Sequence, residues 1–273
     1  MHLYKNIINN KYHSLNNLSA SFRNEKPFPH IVLDNFLDAD IFGSLKKTID
    51  QYSANKRTGI LFNSNAEMNK WISLNSNLPN DISHIVETLN DKLWLSNLLE
   101  LTGLNSLNTT SHGNTKLANY HEMEPGGILV THVDHSSEPL SGMPHVLNII
   151  IFLSQEWDPS YGGATLFWDQ WGKKIVKKIE YKPNRAVIFL HTPYSFHSVE
   201  YINPNHKFVR RTIYIDYYSN SFDPYTGINL DFSNKWFKHG TTFKLNKLID
   251  YFKLGNSHYT KALLMYNLRK ILS

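Results

Sequence analysis

The 273-residue chain contains no cysteine, which excludes disulfides, thiolate metal sites and a cysteine nucleophile together. No apolar run approaches the roughly 20 residues that span a bilayer, and the first stretch, MHLYKNIINNKYHSLNNLSASF, has none of the apolar centre that a secretory signal carries. A cytoplasmic protein with no membrane partner is expected, for which the sequons at Asn17 and Asn108 have no glycosylation meaning. Charge of one sign is scarce: 28 Lys plus Arg against 23 Asp plus Glu leave +5 spread along the chain, too mild to indicate nucleic acid. Pro/Ser-rich linkers, repeats and low-complexity tracts are also missing, so one domain over residues 1–273 is expected. With 41% hydrophobic residues it can bury a sizeable core. What the chain has in quantity is histidine, 14 of them, the raw material of imidazole chemistry.

Periodicity divides the chain into three zones. Over about residues 38–105, within an N-terminal helical support expected over 26–116, the helical period dominates: Ile41, Phe42, Leu45 and Ile49 follow the N-cap candidate Asp38, and Ile82, Ile85, Val86, Leu89 and Leu93 follow Asn80 or Asp81. The polar segment 58–75, with Trp71, reads as a loop between helices. Over residues 117–220 short β-rich runs take over: 128–130, 146–153, 164–168, 174–181, 186–190 and 208–218. Separated by Gly, Pro, Asn and Asp turns, they predict an antiparallel sandwich or barrel. After Asp223 the helical period returns at Leu245, Leu248, Ile249 and Phe252 and at Leu264, Leu268, Ile271 and Leu272, which predicts a C-terminal helical extension over 221–273.

Within the β zone, His132 and Asp134 sit at i and i+2, so an extended chain points both the same way. His197 follows 63 residues after Asp134. Two imidazoles and one carboxylate that leave the opposite positions open form the facial triad suited to non-haem Fe(II) and O2. Thirteen residues after His197 begins Arg210-Arg211-Thr212, where Arg210, Thr212, Tyr214 and Asp216 share one strand face. A guanidinium fork beside a hydroxyl is a clamp for a carboxylate. Triad and clamp together point to a 2-oxo dicarboxylate, 2-oxoglutarate, with its keto-carboxylate end on the metal and its far carboxylate on Arg210. A one-residue slip of register would substitute Arg211. His135, His191 and His121 lie near the triad in sequence. His135 faces away from Asp134 on an extended chain, toward solvent or a substrate-pocket edge, and His191 reads as a loop residue or one that backs the ligands.

These segments in combination, HVD, VLNIIIFLSQEWDPSYGGATLFWD, YKPNRAVIFLHTPYSFHSV and RRTIYIDYY, resemble the Fe(II)/2-oxoglutarate dioxygenases of the prolyl 4-hydroxylase-like group, in order and in spacing. KPFPHIVLDNF resembles the first strand of many bacterial members. The resemblance implies a mainly β chain with flanking helices and a double-stranded β-helix (jelly-roll/cupin-like) core. It also implies that His132, Asp134 and His197 are the iron ligands and that Arg210 holds the co-substrate's side chain. Gly162-Gly163 is then the tight turn before the strand at 164–168. Tyr120 matches a cofactor-binding tyrosine of the family. Phe152 stands where several relatives have a tyrosine, so that contact passes to Tyr120, Asn148, Thr212 or none. His145 occupies a region where bacterial relatives often carry arginine. His135, His145 and Trp168 are the candidates for the substrate pocket.

The implied activity is hydroxylation of an unactivated C–H bond, using O2, with 2-oxoglutarate decarboxylated to succinate and ascorbate as an accessory reductant. The motifs specify no substrate, and a small or amino-acid-like one is expected because no separate peptide-binding domain is evident and the extra length is distributed as helices around the core. Related halogenases replace the carboxylate ligand, so an intact Asp134 argues for hydroxylation, with desaturation and cyclisation open. A peptidyl, prolyl-type hydroxylase and a non-catalytic cupin-like binding module are the alternatives. A nucleic-acid demethylase of the AlkB type would show a second arginine where this chain has Asp216.

Overall fold

The computed structural model describes residues 3–54, 59–64, 66–110, 118–135, 138, 141–192 and 194–220. Among these, ten strands form one curled sheet: β1 (His30–Asp34), β2 (Ile60–Phe62), β3 (Glu67–Ser73), β4 (Tyr120–His132), β5 (His145–Phe152), β6 (Thr165–Trp168), β7 (Ile175–Ile179), β8 (Arg185–Leu190), β9 (His197–Val199) and β10 (Arg210–Tyr218). Their order is β1-β8-β5-β10-β4-β9-β6-β7, with the β2–β3 hairpin added alongside β4. Strand β4 serves both halves. Tyr120 to Met123 pair with β10, whereas Leu129 and His132 pair with β9. Between them Gly126 takes φ 79°, a conformation that glycine adopts without cost, and the strand bends there. The sheet thereby folds over on itself as a double-stranded β-helix, mainly β with helices at its flank.

Among the described residues four α-helices flank it: α1 (Ser19–Asn24), α2 (Ala39–Ala54), α3 (Asn80–Leu89) and α4 (Lys92–Thr102). Strand β5 explains how they attach. Every residue of HVLNIIIF is buried, which is why the run is apolar without alternation. Leu147, Ile149 and Ile151 join Ile82, Leu89 and Trp94 in a core on the helix side, while Ile150 and Phe152 join Phe28, Phe167 and Phe189 between the two layers. The metal candidates sit inside that second layer.

Two expectations are corrected. The helical period from Asn80 onward belongs to two helices, because Asp91 accepts a hydrogen bond from the Leu93 amide at 2.9 Å and starts α4 afresh, leaving Leu93 exposed. The segment read as a loop over 58–75 contains the β2–β3 hairpin, held by its backbone ladder to β4, from Glu67↔Leu129 to Ser73↔Tyr120. Its side chains carry little alternation, so the period is silent there. Strand β9 has three residues, too few to show a period at all. The expected C-terminal helices fall outside the described residues. Among the described residues, no helix is long and apolar enough to cross a membrane.

Candidate metal and co-substrate site

His132 ends β4 and His197 begins β9, and the two are direct cross-strand partners. Their rings lie 4.3 Å apart between centroids. Asp134, two residues beyond, reaches both: Oδ1 lies 3.3 Å from His132 Nε2 and Oδ2 lies 3.4 Å from His197 Nε2. The three ligand atoms fall within 4.8 Å of one another, a spacing that one cation can bridge. Each imidazole is aimed by its own backbone. His132 Nδ1 lies 2.8 Å from the Val130 carbonyl and His197 Nδ1 lies 2.9 Å from the Ser195 carbonyl. A carbonyl only accepts, so Nδ1 carries the hydrogen and the Nε2 lone pair is left facing Asp134. Burial lowers the His197 pKa to about 4, so this imidazole is neutral and free to ligate near pH 7. Burial opposes the charge on Asp134, but the His197 and His132 imidazoles outweigh it and hold the carboxyl well below its usual range.

The far oxygen of Asp134 is tied as well. Tyr214 Oη and Asn148 Nδ2 each donate to Oδ2 at 2.7 Å, and the two donors also contact each other. Burial raises the Tyr214 pKa well above its ordinary value, so its hydroxyl stays a donor. Asn148, expected at the co-substrate, is therefore occupied in holding a metal-ligand candidate.

Arg210 opens β10 on the same inward face as Thr212 and Tyr214, and all three line one cavity with His132, Asp134 and His197. Its side chain is 4% exposed. Nε donates to the Gly163 carbonyl at 2.8 Å, Nη2 reaches Thr165 Oγ1 at 3.4 Å, and the guanidinium lies over the rings of Phe152 and Tyr181, 5.3 Å from each centroid. Gly163 has φ 73°, and a Cβ there would sit 3.2 Å from Arg210 Cδ, so glycine makes room for the arginine. Among the described residues no carboxylate pairs with Arg210. Burial alone drives its pKa from 12.5 down to about 10. Arg211 turns to the opposite face of the strand, to the buried Glu122 at 3.3 Å, which places Arg210, not Arg211, at the cavity.

Two further expectations are corrected. Tyr120 faces the helix-side core, with its hydroxyl on Glu122 at 2.8 Å. The reason is register: Thr212 pairs with His121 and Ile213 with Tyr120, and cross-strand partners share a face. His121 takes the inward place. It stacks on Tyr214, and burial lowers its pKa to about 3. His145 is completely buried, stacked between His191 and His135 with Nε2 3.2 Å from Asp216 Oδ1, and is not among the residues that line the cavity of the triad. The bulge between Tyr217 and Tyr218 shifts it off the alternation of β5. His135 is partly exposed and contacts the Tyr218 hydroxyl at 2.8 Å. Trp168 lies beside the cavity, its indole donating to Ser198 Oγ, a lining group, at 2.9 Å. Lys70 and His121 are lining residues that strand alternation alone did not single out as a site.

Residues 115–218 match the family model described as the 2OG-Fe(II) oxygenase superfamily. A search of the curated proteins finds no match. Among solved structures, a prolyl hydroxylase from Trichoplax adhaerens, in complex with a hypoxia inducible factor oxygen degradation domain peptide fragment, is 17% identical. It has a TM-score of 0.56 over 77% of this chain and 91% of that one. A Pseudomonas putida prolyl-4-hydroxylase is 16% identical, with a TM-score of 0.52 over 74% and 98%. The non-heme alpha ketoglutarate dependent carbocyclase SnoK of nogalamycin biosynthesis is 11% identical, with a TM-score of 0.52 over 75% and 84%. The sequence match covers the stretch that carries His132, Asp134, His197 and Arg210, and the solved structures share the fold around it.

Proposed function

We propose that this protein is an Fe(II)- and 2-oxoglutarate-dependent hydroxylase of a small or amino-acid-like substrate. The observation that carries the reading is Arg210, a buried guanidinium without a carboxylate partner among the described residues, on the strand face that also presents Tyr214 to Asp134. A buried cation is costly unless an anion meets it, and a dicarboxylate reaching from the metal site supplies one. His132, His197 and Asp134 would hold Fe(II), which, when bound, couples oxidative decarboxylation of 2-oxoglutarate to oxygen insertion into a C–H bond. Arg210 and Thr212 would bind the far carboxylate. The rings of Phe152 and Tyr181 cover the guanidinium and exclude water, which strengthens its pairing with that carboxylate. Tyr214 and Asn148 orient Asp134 by holding Oδ2.

A second reading is a prolyl-type peptidyl hydroxylase, favoured by the exposed apolar side chains Ile60, Leu61, Phe62 and Met68 on the hairpin beside β4. Both readings share one test. Anaerobic addition of Fe(II) and 2-oxoglutarate should produce a weak visible charge-transfer band, lost in His132→Ala and weakened in Arg210→Ala. No band with the unmodified protein refutes the co-substrate assignment and leaves a binding module.

A further inference from the structure

Glu67 and Lys70 are three apart on β3, a separation that sends side chains to opposite faces of a regular strand. Here they meet. Asn69 adopts φ 51°, the register against β4 shifts between Met68 and Lys70, and Lys70 Nζ comes to 3.0 Å from Glu67 Oε2. The bulge is secured from the facing strand: Asn69 Nδ2 donates to the Pro125 carbonyl at 3.0 Å, next to Gly126 at φ 79°. Bulges beside sites serve to re-aim side chains. Lys70 lines the cavity of the metal triad and is only 14% exposed, and Glu67 is 29% exposed. Neither has a task in the site as described, where the triad takes the metal and Arg210 the co-substrate.

We infer that the Lys70–Glu67 pair recognises a zwitterion, and that the substrate is a free aliphatic α-amino acid, its carboxylate on Lys70 and its ammonium on Glu67. The inference rests on the hydroxylase reading above. Electrostatics select the class. An anion drawn to Lys70 lands beside the Glu67 carboxylate, a cation drawn to Glu67 lands beside the ammonium, and a neutral ligand desolvates the pair with nothing returned. A ligand bearing both charges side by side meets two attractions and no repulsion. Met123, Leu129 and Val199, on the same cavity wall, suit an aliphatic remainder.

The test is calorimetric titration of the protein loaded with Mn(II) and 2-oxoglutarate, using the twenty L-amino acids and then the N-acetyl and methyl-ester forms of the best binder. An aliphatic amino acid should bind, with each blocked form at least tenfold weaker. Lys70→Met should remove the discrimination against the ester, and Glu67→Gln the discrimination against the N-acetyl form. Both variants should keep the circular dichroism spectrum of the unmodified protein, which shows that they fold. Equal binding of blocked and free forms, discrimination that survives both substitutions, or no binding by any of the twenty while the band is present overturns the inference and leaves the hydroxylase reading standing. Absence of the band in the unmodified protein fails that reading first, and the inference with it.

Discussion

Replacing Arg210 by methionine should make the ligand-free protein more stable while abolishing its response to 2-oxoglutarate. Burial lowers the guanidinium pKa from 12.5 to about 10, and at 1.36 kcal/mol per pH unit the folded state carries the charge at a cost of about 3 kcal/mol. The sign follows from the direction of the shift: the protonated form is the disfavoured one, so the cost is fully present at every pH below about 10. Substitution forfeits one good hydrogen bond, to the Gly163 carbonyl, and the contact with the Phe152 and Tyr181 rings, about 1 kcal/mol each. The Thr165 contact at 3.4 Å is too long to matter much. Methionine refills the space against the same rings. The balance is a gain of about 1 kcal/mol, or about 2–4 °C for a chain of this size. In the unmodified protein, 2-oxoglutarate at a hundredfold excess over Kd, with Mn(II) present, should add about 2.7 kcal/mol. Thermal unfolding with and without the two ligands measures both effects. A ligand-free Arg210→Met protein that melts below the unmodified one, or that still gains stability from 2-oxoglutarate, refutes the account of Arg210 as an unpaired anion receptor.

Tyr214→Phe removes one of the two donors on Asp134 Oδ2 and leaves the ring in place, so Mn(II) affinity at pH 7 should fall by about 10- to 100-fold with the circular dichroism spectrum unchanged; an unaltered affinity shows that Asn148 alone suffices. Away from the site, Asp34 on β1 is held by Arg185 at 2.6 Å and Lys182 at 2.9 Å, and the Arg185 hydrogen bond leads in lowering its pKa to about 2. Its contribution is present above the ordinary carboxyl pKa and is lost as pH falls toward 2. Discounted for an exposed carboxylate, it amounts to about 1 kcal/mol. Asp34→Asn should therefore lower urea stability by that amount at pH 7 and by progressively less between pH 4 and pH 2, whereas a pH-independent loss would contradict the pairing.

The site was legible where chemistry and strand parity coincide. His132 and Asp134 needed only i and i+2, and the even-numbered face of β10 correctly grouped Arg210 with Thr212, Tyr214 and Asp216. What parity within one strand cannot supply is the partner's register. Tyr120 and His121 are equally good candidates on β4 until the pairing Thr212↔His121 is known, and that pairing spans 91 residues of chain. Bulges defeat parity altogether. Gly126 and Asn69 turn β4 and β3, and the shift at Tyr217/Tyr218 buries His145 among other rings. Asn148 misled for a different reason: a buried amide was expected at the co-substrate, and the carboxylate at 2.7 Å was the stronger partner. The hairpin was illegible because main-chain bonds to β4, rather than apolar burial, hold it in place.

The pairing of β9 with β4 rests on two register positions, Leu129↔Val199 and His132↔His197, with a slip between them. That is a slender seam, and it is where the fold closes over itself. One of its two stitches is a pair of metal-ligand candidates, so an ion held by His132, Asp134 and His197 would also act as a rivet across the join. Loading would then be felt mechanically. The metal would shut the seam between 129–134 and 197–199, slowing amide exchange there first, and its removal would ease the barrel open along that line before the helix-side core noticed.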